Sequence, residues 1–72
     1  MKLHYYPETD SLYIELTEKP GADSQEVADS VVLDVDAAGH PVGIDIDGAS
    51  ERIDLRTLEL ISLPTTSTRL AG

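Results

Sequence analysis

Residues 34–45 read DVDAAGHPVGID, and the fold turns on what they form. The stretch opens D-x-D, holds Gly39 at its sixth place and ends on Asp45 at its twelfth. That is close to the acidic loop that binds calcium between two helices. Three features argue against it. Both flanks, SVVLDVD (30–36) and PVGIDID (41–47), alternate apolar and polar residues at period two, whereas a calcium loop sits between helices of period near 3.6. Ala38 at the fifth place offers no ligand oxygen. Asp45 stands where a longer Glu would bind through both carboxylate oxygens. The stretch is therefore predicted to be a β-hairpin closed over residues 36–39, with Val35 opposite His40, Leu33 opposite Val42 and Val31 opposite Ile44. Gly39 suits the last loop position, where a positive φ is often needed.

The same period runs through the N-terminal third. KLHYY (2–6) and SLYIELT (11–17) flank PETD (7–10), a four-residue loop rich in turn formers. Closing a hairpin over that loop pairs Lys2 with Glu15, Leu3 with Ile14, Tyr5 with Leu12 and Tyr6 with Ser11. Leu3, Tyr5, Leu12, Ile14 and Leu16 then share one face, and Lys2, His4, Tyr6, Tyr13 and Glu15 the other. A slip of one residue would mix the two sets, so the pattern specifies its own register. EKPGADS (18–24) reads as a loop, and QEVAD (25–29) as a short strand or the lead-in to one. After Gly48 the period changes. ASERIDLRTLEL (49–60) is compatible with a short helix starting near Ser50, while LELIS (58–62) fits a helix or a strand. Pro64 ends it.

The expected fold is α+β: a small antiparallel β-meander of four to five strands with a short C-terminal helix. One domain spans 1–63, and 64–72 form a flexible tail. The apolar face of Leu3, Tyr5, Leu12, Ile14, Leu16, Val31, Leu33, Val35, Val42, Ile44 and Ile46 is expected to pack on the helix or on a second subunit.

Two blocks carry a resemblance. YYPETDSLYIELTE contributes Tyr6, Glu8, Asp10, Leu12, Tyr13, Ile14 and Leu16. SVVLDVDAAGHPVGIDIDGAS contributes Asp34, Asp36, Gly39, Val42, Gly43, Ile44, Asp45, Ile46, Ala49 and Ser50. Together they resemble the small bacterial proteins of the domain of unknown function 2283 family, over roughly residues 3 to 53. The resemblance implies a small antiparallel sheet with a C-terminal helix. Members of this kind are sometimes encoded beside small toxins, which implies an antitoxin-like or regulatory partner. It carries over no catalytic residues.

Charge narrows the function classes. The 72-residue chain has 14 Asp plus Glu against 5 Lys plus Arg, a formal charge of −9. Such a field repels nucleic-acid phosphates and anionic membranes and attracts basic proteins and divalent cations. There is no cysteine, hence no disulfide or thiolate metal site. No apolar run approaches a membrane span, and MKLHYYPETD is unlike a secretory signal. A cytoplasmic protein is expected. Phosphate-loop, dinucleotide and zinc spacings are absent, as is the nucleophile elbow G-x-S-x-G, so no cofactor is expected.

The candidate site is an acidic face. Asp34 and Asp36 on one strand and Asp45 and Asp47 on the next would form a docking surface for a basic protein, although strand alternation alone also yields a polar face. Asp34 and Asp36 are in addition weak candidates for a divalent cation. Glu8 and Asp10 could act as paired acid and base, but a turn tip lacks the burial that perturbs pKa. His4 and His40 are read as surface residues. The expected function is thus a non-enzymatic interaction module, antitoxin-like, with homo-oligomerisation suggested by the surplus of apolar surface on Tyr6, Tyr13, Leu55, Leu58, Leu60, Ile61 and Leu63. A weak cation binder and a self-associating structural domain are the alternatives.

Overall fold

The computed structural model describes residues 1–64 and 69. Five strands, β1 (Lys2–Tyr6), β2 (Ser11–Glu15), β3 (Asp23–Ala28), β4 (Val31–Val35) and β5 (Pro41–Asp47), form one antiparallel sheet, followed by a single helical turn, α1 (Ala49–Arg52). The spatial order is β1-β2-β5-β4-β3. This corrects the expected simple meander: β5, not β3, lies beside β2. The Pro-Gly loop after β2 sets β3 at the far edge, and two successive hairpins then bring β5 back into the gap. The burial follows. Edge strands β1 and β3 are exposed along their length, while central β5 holds the buried Val42, Gly43 and Ile46.

The first hairpin has the register that its alternation predicts, Lys2↔Glu15 through Tyr6↔Ser11, and a Lys2–Glu15 ion pair of 3.8 Å joins its open end. The second hairpin forms, but its pairing differs from expectation. Leu33 faces Ile44 and Val31 faces Ile46, two residues along from the predicted partners. The loop is tighter than a four-residue closure. Asp36 N donates to His40 O at 2.9 Å and Gly39 N to Asp36 O at 2.9 Å, leaving three loop residues with Gly39 at φ 86°. This is a type I turn followed by a left-handed glycine. The register then shifts between Asp34 and Val35, a bulge that takes up one residue of β5. A two-residue displacement returns every side chain to the same face, so the hydrophobic pattern cannot distinguish the two pairings.

The helix is shorter than the segment after Gly48 suggested. It ends at Arg52, and Ile53 after it is extended at φ −134°, ψ 144°. Asp54 Oδ1 accepts the Arg56 amide at 3.0 Å, a local turn that competes with the helical ladder. Residues 58–62, left open between helix and strand, form neither. The predicted tail, 64–72, lies outside the described residues apart from Pro64 and Arg69.

The core is small. Leu12, Ile46 and Ala49 form its centre, with Ile14, Val31, Ile44 and Ile53 packed against them. Thus α1 covers one end of the apolar face. At the other end Val35 and Val42 are buried where the Lys19–Ala22 loop passes; Ala22 N donates to Val35 O at 2.8 Å.

Gly43 admits a close approach. A Cβ there would sit 2.6 Å from Tyr13 Cζ and collide with its hydroxyl. Gly43→Ala should therefore destabilise the fold by about 1–3 kcal/mol, the usual range for overpacking. Urea unfolding checks this, and an unchanged midpoint would show that Tyr13 does not need the space.

Candidate functional site

Cross-strand partners project to the same side of a sheet, so the register assembles the polar face row by row. One row runs Ser24–Asp34–Gly43–Glu15–Lys2 and the next Glu26–Val32–Asp45–Tyr13–His4. Beyond them Asp47 faces Ser11, which faces Tyr6. Asp34, Asp45 and Asp47 are brought together, as the alternation predicts. Glu15 and Glu26 join them, with Lys2 as the cation of these rows. Glu26 was not singled out from sequence because QEVAD has too little alternation to declare a strand face.

Each carboxylate has its own environment. Asp34 is pinned: Tyr13 Oη donates to Oδ2 at 3.0 Å and Ser24 Oγ to Oδ1 at 2.8 Å. Burial, and then this bond to Asp34, raise the Tyr13 phenol above its ordinary pKa. Asp45 is half-buried between Val32 and Tyr13. Desolvation, and then the charges of Asp47 and Asp34, push its pKa up. Asp47 is exposed and accepts the Ser11 hydroxyl at 2.9 Å.

Asp36 is placed differently. Its Oδ1 accepts the amides of Ala38 and His40, each at 2.9 Å, and the backbone bond from His40 is the leading cause of its lowered pKa. Its carboxylate therefore organises the turn. The two weak cation candidates are not brought together as ligands, since Asp34 is occupied by Tyr13 and Ser24. His40 Nδ1 lies 3.7 Å from Asp36 Oδ2, and His4 stacks on Tyr6 with centroids 6.4 Å apart. Among the described residues no group of three or more His, Asp or Glu is arranged to hold a metal ion.

A second polar cluster joins distant segments and was not foreseen. Asp10, in the β1–β2 turn at φ 51°, accepts Tyr5 Oη at 2.7 Å on Oδ1 and Ser50 Oγ at 2.7 Å on Oδ2. Its backbone carbonyl accepts the Ala49 amide at 2.8 Å, and its Oδ1 the Ser50 amide at 3.1 Å. Gly48 has no side chain with which to cap α1, and Asp10 supplies that cap from 40 positions away in sequence. The Ser50 hydroxyl, then Tyr5, hold the Asp10 carboxyl below the ordinary range. That is opposite to what a general acid paired with Glu8 would need. No local pattern signals such a contact.

Two concavities of about 330 and 380 Å³ are wide open to solvent, one beside Pro20 and Ala37, the other beside Ile53 and Leu55. No helix among the described residues is long and apolar enough to cross a membrane. The family described as protein of unknown function (DUF2283) matches residues 2–50, and the chain belongs to it. No curated protein and no solved structure matches.

Asp10 and Asp45, shifted in opposite directions, give opposite pH effects. Asp10 has a lowered folded pKa, so its stabilisation is complete above the unfolded value and is lost as pH falls through the folded one. Asp45 has a raised folded pKa, so stability falls as pH rises from the unfolded value through the folded one. Asp10→Asn should lower the melting midpoint at pH about 7 by several degrees and flatten the acid limb. Asp45→Asn should hold or raise the midpoint at neutral pH. Thermal melts followed by circular dichroism across pH distinguish them.

Proposed function

We propose that this DUF2283 protein is a non-enzymatic interaction or regulatory module that docks a basic protein on its acidic sheet face. The observation that carries the reading is the convergence of Glu15, Glu26, Asp34, Asp45 and Asp47 on one face of a rigid sheet. Asp34 is locked in place by two hydrogen bonds, so part of the surface charge is pre-positioned and loses little freedom on binding. Partial burial and then the charges of Asp47 and Asp34 raise the pKa of Asp45. A partner ammonium or guanidinium arriving there offsets a repulsion that the free protein carries. Long-range attraction from the net charge of −9 would steer association.

What supports a non-enzymatic reading is the use already made of the catalytic candidates. Asp10 is saturated by Tyr5 and Ser50, and both concavities lie open to water. The cation alternative draws no support from Asp34 and Asp36, whose oxygens serve neighbouring donors. The antitoxin-like role that the family resemblance implies is one form of this proposal, and a cytoplasmic setting belongs to it.

The test is capture from native lysate on immobilised protein at about 0.05 M and about 0.5 M salt, where screening differs severalfold. Wild type and a variant with Asp45→Asn and Asp47→Asn are compared. A basic protein retained by wild type at low salt, and lost both at high salt and with the variant, supports the proposal. For the purified pair, association should slow about tenfold in the variant with a smaller change in dissociation. Retention indifferent to salt and to the substitutions disposes of the acidic-face proposal.

A further inference from the structure

The opposite face holds an arrangement that the proposed function does not use. Leu3 faces Ile14, Ile14 faces Ile44 and Ile44 faces Leu33. These four aliphatic residues form a continuous row across β1, β2, β5 and β4, ended by Gln25 on β3. Helix α1 covers the neighbouring row, at Leu12 and Ile46, and stops short of this one. Leu3 remains 47% exposed, and Ile14, Leu33 and Ile44 are half-buried.

We propose that this aliphatic row is the centre of a homodimer interface, with two copies stacked sheet on sheet about a two-fold axis. The missing layer is the first argument. Among the described residues no large side chain is fully buried, so the single sheet lacks a layer that its apolar face requires.

Charge identifies the occupant. In a chain of net charge −9, a second copy is repelled wherever carboxylates meet. Glu15, Asp34, Asp45 and Asp47 all project to the other face, and the row from Leu3 to Leu33 contains no charged residue. Stacking through this row puts the two acidic faces on the outside, as far apart as the sheets allow. A basic partner is drawn to the acidic face; the neutral face is the one that a like-charged copy can approach. The interface is isologous, so the row meets itself and the assembly closes at two.

Sedimentation equilibrium of the wild-type protein from about 1 µM to about 0.1 mM is the deciding measurement, because dimer population follows protomer concentration. The expected result is a mass twice the 7.8 kDa of the chain at the upper concentration. Leu3→Glu places a carboxylate against its own symmetry mate and should weaken dimerisation at least tenfold. Glu26→Gln, on the opposite face, should leave it unchanged or slightly stronger. Circular dichroism of Leu3→Glu confirms that the sheet persists; should it unfold, the wild-type mass still decides. A wild-type monomer at 0.1 mM overturns the proposal. So does a dimer that Leu3→Glu leaves intact, which would place the contact at an edge strand, and so does an open series of larger species.

Discussion

The contact on which the sheet depends is Tyr13 lying across Gly43 to reach Asp34. Two units meet there: the β1–β2 hairpin and the β3–β4–β5 pair of hairpins, joined along β2 and β5. Any side chain at position 43 would occupy the place of the Tyr13 ring. With glycine there, the phenol spans the central strand, and its hydroxyl bonds Asp34 at 3.0 Å on the strand beyond. Ser24 completes the line at 2.8 Å from β3. A single polar chain thus links β2, β4 and β3 across β5 in an otherwise thin sheet. The second tie, Asp10 to Ala49 and Ser50, fastens the turn of the first unit to the helical turn that follows the second. Between them these contacts bind the units at both ends of their shared border.

Seen this way, much of the family pattern is architecture. Tyr13, Gly43 and Asp34 form the cross-sheet chain, Asp10 and Ser50 the tether, and Asp36 with Gly39 the tight turn. Carboxylates that invite a catalytic or metal-binding reading are acceptors for backbone amides and hydroxyls. Ionised carboxylates make stronger hydrogen bonds than neutral acceptors, which suits a domain with so small an apolar core. What the architecture leaves over is charge on one face and aliphatic surface on the other. The two faces differ in chemical character, and alternation at period two is what keeps them apart.

How far the fold could be read from the chain depended on whether the information was local. The first hairpin was legible down to its register, because its loop length and its alternation agree. The second was legible as a hairpin but not in its pairing, since a slip of two preserves both faces and the bulge after Asp34 leaves no mark in the hydrophobic pattern. Likewise Asp34, Asp45 and Asp47 were placed on a common face by parity, whereas Asp36 belongs to its turn because two amides at 2.9 Å claim its carboxylate.

By itself the sequence determined β1, β2, β4 and β5, the two faces and their opposite character, because each follows from side-chain alternation within a few residues; β3 (Asp23–Ala28) begins inside the stretch read as a loop, 18–24, and shows no such alternation. Tertiary structure decided the rest: β5 in the centre, the capping of α1 by Asp10, whose oxygens accept from Ala49 and Ser50, and the short reach of that helix over the apolar face. These depend on residues far apart in the chain meeting in space. Strand order in particular is a competition between alternative partners for the same hydrogen-bonding edge. A strand of alternating pattern looks the same whichever neighbour wins, and here β5 won the edge of β2 because the hairpins that precede it fold back to that side.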